Sequence, residues 1–190
     1  MVMHHLLACV ALLSTLVACG DDPVSYSAPV AINLKAKSAD TVSGVVSDEK
    51  GISTESGNPY GKFVSDARAA LGGRDPGTIE LDSVDVFLGA GSTGVTALGE
   101  IFNGRLDVVF VMNDTDNSYP AAHVEIGAAT TAGPIGAAID FDGAAFPAID
   151  EAKLLGGSFK VLLRGPAAAS FETKGADADV QLTFTFAAFE

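Results

Sequence analysis

The sequence is poor in cysteine, histidine and tryptophan, and each shortage disfavours a kind of site. Its 190 residues include two cysteines, three histidines and no tryptophan. Both cysteines and two of the histidines precede residue 20, so that His123 is the single histidine of the remaining chain. The chain beyond Cys19 therefore has no thiol for a thiolate metal site or a disulfide, and its single histidine weighs against a catalytic zinc site. The missing indole also weighs against a carbohydrate site built on tryptophan stacking.

Positive charge is the second shortage. The chain has 11 Lys and Arg against 24 Asp and Glu, which gives a formal net charge of −13 at pH 7. No basic run or basic–aromatic stripe interrupts this acidity. We therefore expect the chain to repel nucleic acid and to have no nucleic-acid partner. The acidity itself is typical of a surface that stays soluble and resists self-association.

Long apolar runs are also missing, apart from one near the N-terminus. The stretch from Leu6 to Ala18 has about 13 residues, whereas a helix that spans a bilayer needs roughly 20. It has the length of a signal-peptide core. Its last residues, Leu16-Val17-Ala18-Cys19, resemble the lipobox of bacterial lipoprotein signal peptides. The preceding MVMHH departs from that pattern because it contains neither Lys nor Arg.

The resemblance implies cleavage after Ala18 and diacylglyceryl modification of Cys19. It divides the chain into a signal peptide (1–18), a lipidated tether (19–29) and a folded domain (30–190), with two acyl chains sufficient for stable attachment to a membrane. Gly20 follows the cysteine where an Asp would favour the inner membrane, so that similarity to the sorting pattern of enteric lipoproteins favours the outer one. The alternative is an ordinary cleaved signal.

Most of the domain alternates apolar and polar residues with the period of a strand. Val30, Ile32 and Leu34 alternate with small or polar partners, and 42–53 predicts a second strand that enters a glycine turn. Further runs are Ile79–Leu88, Leu106–Met112, one that begins at Val124 and Ile126, Phe159–Leu163 and Val180–Phe186. Strands with one solvent-exposed face and one buried face indicate antiparallel sheets. The sequence therefore predicts a mainly β fold, an antiparallel β-sandwich with one amphipathic helix packed against it.

That helix is predicted over 59–71. Asn58 suits its N-cap, Pro59 its first position, and a Gly-Gly pair follows its end. Its apolar side chains form one stripe, which we expect to pack on the domain's own sheet: Tyr60, Phe63, Val64, Ala67 and Leu71. A second, shorter helix is predicted over 148–155, closed by glycine.

Three glycines raise the question of a nucleotide cofactor. Gly89, Gly91 and Gly94 form G-x-G-x-x-G after a strand-like run, and Asp114 follows 20 residues after the last of them. This spacing occurs in dinucleotide-binding fingerprints. However, the preceding strand carries acidic residues, and the helix-like stretch 95–103 is short and interrupted by glycine, whereas the fingerprint needs a buried parallel strand and a crossing helix. We predict a flexible loop between strands and no cofactor.

The same glycines surround a serine. A-x-S-x-G around Ser92 is a loose match to the nucleophile elbow of hydrolases, and His123 is the one histidine that could serve as its base. The strand–elbow–helix context that the motif requires is missing. We therefore predict no catalytic Ser92–His123 pair.

The stretch 113–125 carries the strongest remaining hint of a metal. Asp114, Asp116 and Ser118 occupy positions 1, 3 and 5 of a calcium-loop pattern, and Glu125 occupies position 12. Position 6, which requires glycine in an EF-hand, is a tyrosine followed by proline. These substitutions argue against an EF-hand.

A looser calcium site between strands stays open as a hypothesis, with Asp140 and Asp142 as further ligands if their loop folds nearby. The simpler interpretation is a polar connection between strands, because Asn, Asp and Ser are turn formers. We predict no metal at this loop.

Two functional classes remain. The first is a membrane-anchored, non-enzymatic module that binds a protein, polymer or lipidic ligand, or has a structural role, through loops or one sheet face. The second is an envelope hydrolase that uses a pair of carboxylates. The sequence contains no nucleophile–base pair and no complete catalytic motif, which favours the binding or structural module. A concave pocket lined by two acids of raised pKa would favour the hydrolase.

Overall fold

The computed structural model describes residues 24–190, which form two antiparallel sheets packed face to face. The predicted antiparallel β-sandwich is confirmed. The strands are β1 (Ser25–Lys37), β2 (Val45–Ile52), β3 (Thr78–Leu88), β4 (Gly104–Met112), β5 (Ser118–Ile126), β6 (Ile135–Gly136), β7 (Ala138–Ile139), β8 (Phe159–Pro166) and β9 (Asp177–Phe189). Sheet A has the strand order β1-β9-β3-β6, and sheet B has the order β2-β8-β4-β5-β7.

The core lies between the sheets and is rich in phenylalanine. Alternation along each strand sends one row of side chains inward, so that Phe184 and Phe186 of β9 are completely buried. Phe110 on β4 meets them from the opposite sheet, with ring centroids 5.8 and 6.3 Å away. Contacts of this kind join the two sheets into one core.

Helix α1 (Pro59–Ala70) closes one edge of the sandwich, as the apolar stripe predicted. Asn58 caps it by accepting a hydrogen bond from the backbone N–H of Tyr60 at 3.0 Å. The ring of Tyr60 packs edge-on against Phe159 of sheet B and Phe186 of sheet A. Its hydroxyl donates to the carbonyl of Leu154 at 2.8 Å, and burial raises its pKa. One side chain of α1 thus contacts both sheets and the second helix.

Helix α2 (Ala148–Gly156) confirms the shorter predicted helix, and it ends where Gly157 adopts a left-handed φ of 65°. Glycine suits this position because it has no Cβ to crowd the carbonyl. Neither helix between Val24 and Glu190 has the length and apolar character that a membrane crossing needs.

The folded domain begins five residues earlier than the sequence pattern predicted. Ser25–Pro29, which the sequence pattern places in the tether, belong to β1 and pair with the last residues of β9. Their polarity concealed the strand because β1 lies at the sheet edge, where one side is open and a proline is tolerated. Tyr26 fixes the start of the strand by packing on Phe63 of α1, with ring centroids 6.0 Å apart.

One further boundary differs from the sequence prediction. Val124 and Ile126 end β5 and do not begin a strand, because the pairing with β4 starts at Ser118 and passes a bulge near Val109. The stretch 95–103, predicted to belong to a loop between strands, contains only a single 3-10 turn at Leu98–Glu100.

Candidate functional sites

The glycine motif lies in a connection between the two sheets and packs tightly on β9. A Cβ on Gly89 would lie 2.8 Å from the Cβ of Asp179, and one on Gly91 would collide with the carboxylate of the same residue. Gly94 has φ of +76° and would place a Cβ 3.0 Å from the Cα of Ala176. The three glycines thus allow the backbone to approach β9, and the connection is fixed against that strand where the sequence suggested a flexible loop.

Ser92 takes part in the same packing. Its hydroxyl donates to the carbonyl of Gly89 at 2.8 Å and accepts from the backbone N–H of Asp179 at 3.0 Å. His123 lies on β5 in the other sheet, where its Nδ1 is 2.6 Å from Asp140. No hydrogen bond joins Ser92 to His123 among the residues that the structure describes. The structure therefore separates the two members of the hypothetical pair.

The 113–118 loop is organised around a carboxylate that the sequence did not single out. Asp150, on α2, is completely buried and accepts three hydrogen bonds. The donors are the hydroxyl of Tyr119 at 2.6 Å, the amide of Asn117 at 2.7 Å and the hydroxyl of Thr115 at 2.8 Å. These bonds, with that from Tyr119 first, hold the pKa of Asp150 below its usual value. The loop's polar side chains thus tie it to the helix.

The two aspartates of this loop that are candidate calcium ligands in the sequence, Asp114 and Asp116, are exposed to solvent. Both have left-handed backbone conformations, with φ of 65° and 55°. Lys153 of α2 reaches the loop, where its ammonium donates to the carbonyl of Asn113 and lies 4.0 Å from the carboxylate of Asp114. Between Val24 and Glu190, no three His, Cys, Asp or Glu side chains are grouped closely enough to hold a metal ion.

The other two proposed ligands have partners of their own. Asp142 accepts a hydrogen bond from the N–H of Ala144 at 3.0 Å and caps the short turn that follows. Asp140 contacts His123 on β5 and Arg105 on β4, the latter at 3.3 Å. Both carboxylates therefore have protein partners, and the loop that carries them packs beside β5.

The contact between His123 and Asp140 belongs to a charged cluster on the outer face of sheet B. Arg105 bridges two carboxylates there, with its Nε 2.6 Å from Asp107 and its Nη2 3.3 Å from Asp140. Arg164 of β8 lies opposite Asp107 in the strand register. A lone histidine in a strand-like stretch gave a weak signal for this cluster, because its partners come from other parts of the chain.

Several open grooves follow the surface of the described residues. One, of about 420 Å³, lies between β1, the end of β2 and the start of α1, and another, of about 530 Å³, separates α1 from α2. A third, also about 530 Å³, is lined by three carboxylate side chains, Glu80, Asp142 and Glu151. All three are open surface depressions.

Cys19 and the rest of the lipobox lie outside the described residues. No family model, curated protein or solved structure matches the chain. The functional argument therefore depends on the residues and their geometry.

Proposed function

We propose that the chain is a lipid-anchored lipoprotein of the bacterial cell envelope, and that its sandwich is a non-enzymatic binding module. The anchor is Cys19, on the strength of the Leu16-Val17-Ala18-Cys19 pattern and the apolar run before it. Two acyl chains supply enough buried methylene surface for stable attachment. The membrane is thus the first partner, and the outer membrane is the favoured one.

The observation that carries the non-enzymatic assignment is that groups with catalytic potential hold the fold together. The hydroxyl of Ser92 bridges Gly89 and β9, and the carboxylate of Asp150 is saturated by three donors. Glu100 and Asp150 both have lowered pKa values, the opposite of the raised value that a general acid needs. These features support a role in binding over one in catalysis.

We assign the binding surface to the outer face of sheet B. Val109 and Leu162 are paired neighbours at its centre, and both are half-buried although they point away from the core. Around them lie the charged side chains already described, namely Arg105, Asp107, His123, Asp140 and Arg164. An apolar centre with a rim of both charge signs is typical of transient protein–protein interfaces. The partner that fits this face is another envelope protein.

Anchoring is tested by Cys19→Ala in the native host, with Cys9→Ala as the matched control. Both changes remove a thiol from the N-terminal region, but only Cys19 stands at the lipobox position. We expect Cys9→Ala to be processed, lipidated and recovered in the membrane fraction, and Cys19→Ala to lose both lipidation and cleavage after Ala18. A Cys19→Ala chain that is processed and fractionated normally would refute lipid anchoring.

The binding face is tested by charge introduction. The variant Val109→Lys/Leu162→Lys disrupts the apolar centre, whereas the control Asn33→Lys/Thr183→Lys places the same charge on the outer face of sheet A. After crosslinking in intact cells, we expect the sheet B variant to lose partner adducts that the control retains. Equal adduct patterns in the two variants would place the interface elsewhere.

The groove that carries Glu80 and Glu151 favours one specific alternative, a carboxylate-dependent hydrolase. Paired carboxylates are the groups that glycoside hydrolysis uses. The test is release of soluble fragments from purified cell-wall polymer by the folded domain, compared with Glu80→Gln/Glu151→Gln. Turnover by the native chain that the double variant lacks would replace the binding module with the hydrolase.

A further inference from the structure

We infer that one end of the sandwich faces the membrane and that the opposite end is held away from it. This inference depends on the proposed lipidation of Cys19. The membrane-facing end, called the anchor end here, comprises the start of β1, the end of β9, the start of β3 and the turn 72–77 between α1 and β3. Its partner is the surface of a lipid bilayer.

Strand pairing defines the anchor end. Ser25, the first residue of β1, pairs with Phe189, the last residue of β9, and Phe189 pairs on its other side with Thr78, the first residue of β3. The N–H of Gly77 also donates to the carbonyl of Phe189 at 2.8 Å. These residues therefore lie side by side at one end of sheet A.

The opposite end, called the remote end here, is defined in the same way. Lys37, at the end of β1, pairs with Asp177, at the start of β9, and the backbone of Thr93 bridges to the same Asp177. The connection that carries Val42 continues from this end. Because a strand rises about 3.3 Å per residue, β1 separates the two ends by about 40 Å.

The reach of the anchor decides which end faces the lipid. Six residue steps lie between Cys19 and Ser25, and a fully extended chain spans at most 3.3–3.6 Å per residue, or about 20 Å in all. An inverted domain would hold Ser25 about 40 Å from the bilayer, which this segment cannot reach. Had the domain begun at Val30, the longer tether would have allowed nearly twice the reach. The early start of β1 therefore excludes the inverted orientation.

The basic charges near the anchor end are paired with acids. The basic side chains of α1 and of the turn after it each have an acidic partner: Lys62 with Asp66, Arg68 with Asp75, and Arg74 with Glu190. These pairs sum to no net charge in a chain whose formal charge is −13. The groove beside Thr78 adds three carboxylates, those of Glu80, Asp142 and Glu151, so that the anchor end keeps a negative charge. Salt confines the repulsion between these carboxylates and anionic headgroups to a Debye length of about 8–10 Å.

The consequence for function is that the remote end and its loops extend into the compartment. The glycine connection from Gly89 to Gly94 and the exposed Val42 lie at that end. A partner held at a distance from the bilayer thus meets the remote end first.

The test uses single cysteines, because the lipid would block the thiol of Cys19 and leave the introduced thiol as the reactive one. Thr78→Cys probes the anchor end and Val42→Cys probes the remote end, and both positions are exposed. The full-length, lipidated chain is labelled with a fluorophore and reconstituted into phosphatidylcholine vesicles whose headgroups carry a short-range quencher. We expect fluorescence to be lost at position 78 and preserved at position 42.

A third variant tests the role of the short connection. A flexible Gly/Ser insert of about 20 residues between Pro23 and Val24 extends the mean reach by about 25 Å. We expect this insert to restore much of the fluorescence at position 78.

The outcomes separate the inference from the proposed function. Mass measurement of the N-terminal peptide establishes whether Cys19 carries lipid, and an unmodified Cys19 overturns both. A lipidated chain that is quenched equally at positions 78 and 42, or more strongly at 42, overturns the orientation and leaves the anchoring intact.

Discussion

Tyr119 on β5 donates its hydroxyl hydrogen to the carboxylate of Asp150 on α2 across 2.6 Å, and the same ring stacks on Phe146 with centroids 3.9 Å apart. The bond joins a strand of sheet B to a helix more than 30 residues later in the chain. Since Asn117 and Thr115 donate to the same carboxylate, one buried acid organises the whole connection between β4 and β5.

We predict that Asp150→Asn destabilises the domain at neutral pH and that its effect shrinks in acid. The hydrogen bonds keep the pKa of folded Asp150 below the ordinary 3.8, so that the native carboxylate contributes stability above that pH and loses it as the pH falls through the folded pKa. Urea midpoints of native and Asp150→Asn chains should therefore differ at pH 7 and converge as the pH falls below 3.8 through the folded pKa.

The control for this network is Asp114→Asn, at an aspartate of the same region whose side chain is 88% exposed. It should leave the urea midpoint close to that of the native chain at pH 7. A Tyr119→Phe variant should fall between the control and Asp150→Asn, because it removes one donor of three. An Asp150→Asn deficit that stays constant down to acid pH would contradict the role of the ionised carboxylate.

Gly94→Ala should destabilise the domain more than Gly175→Ala. Both glycines have φ near +70°, so that each substitution incurs about 1–3 kcal/mol of backbone strain. Only at Gly94 does the added Cβ meet the backbone of Ala176, whereas nothing lies within 4 Å at Gly175. Denaturant titration gives the two free energies of unfolding. Equal losses would show that the approach to β9 is not what requires glycine there.

Phe110→Ala should cost about 3–5 kcal/mol of stability, the range found when large core side chains are truncated. Phe110 is completely buried and contacts aromatic rings from both sheets. The matched control is Ile149→Ala on α2, whose side chain is 60% exposed and whose loss should stay within about 0.5 kcal/mol. Thermal or urea unfolding of both variants measures the difference. A similar cost for the two would contradict the assignment of Phe110 to a densely packed core.

Calcium should leave the melting temperature of residues 24–190 unchanged. An ion that bound only the folded state at 100 times its dissociation constant would add about 2.7 kcal/mol. Asp114 and Asp116 face solvent, and Lys153 already contributes a positive charge to the loop. Melts with millimolar calcium and with chelator test this expectation.

Asp114→Asn/Asp116→Asn is the control for the calcium experiment, since Asn tolerates the left-handed backbone of both positions. A calcium-dependent rise in the native melting temperature that the double variant lacks would establish a site in this loop. We expect the two chains to respond alike.

The sequence alone determined the elements whose signals are local. Neighbouring residues reveal the apolar alternation in Val180–Phe186 and the cap and apolar stripe of α1. The strand and helix periods are only about 2 and 3.6 residues, so that a short stretch of sequence contains each pattern. The same locality made the sandwich class predictable. The lipobox at Leu16–Cys19 is also local, and it carries the proposal that the chain is anchored.

Only the tertiary structure decided the features that join distant residues. The pairing of Ser25 with Phe189 extends β1 by five residues, and the approach of Gly91 to Asp179 explains a glycine that resembles part of a cofactor motif. In the sequence, Asp150 is an ordinary acid of a short amphipathic helix. Its role depends on the fold, which places the donors Tyr119, Asn117 and Thr115 around it. Such contacts depend on which strands become neighbours. Strand pairing is determined by burial of the whole core, and no single stretch of sequence contains that information.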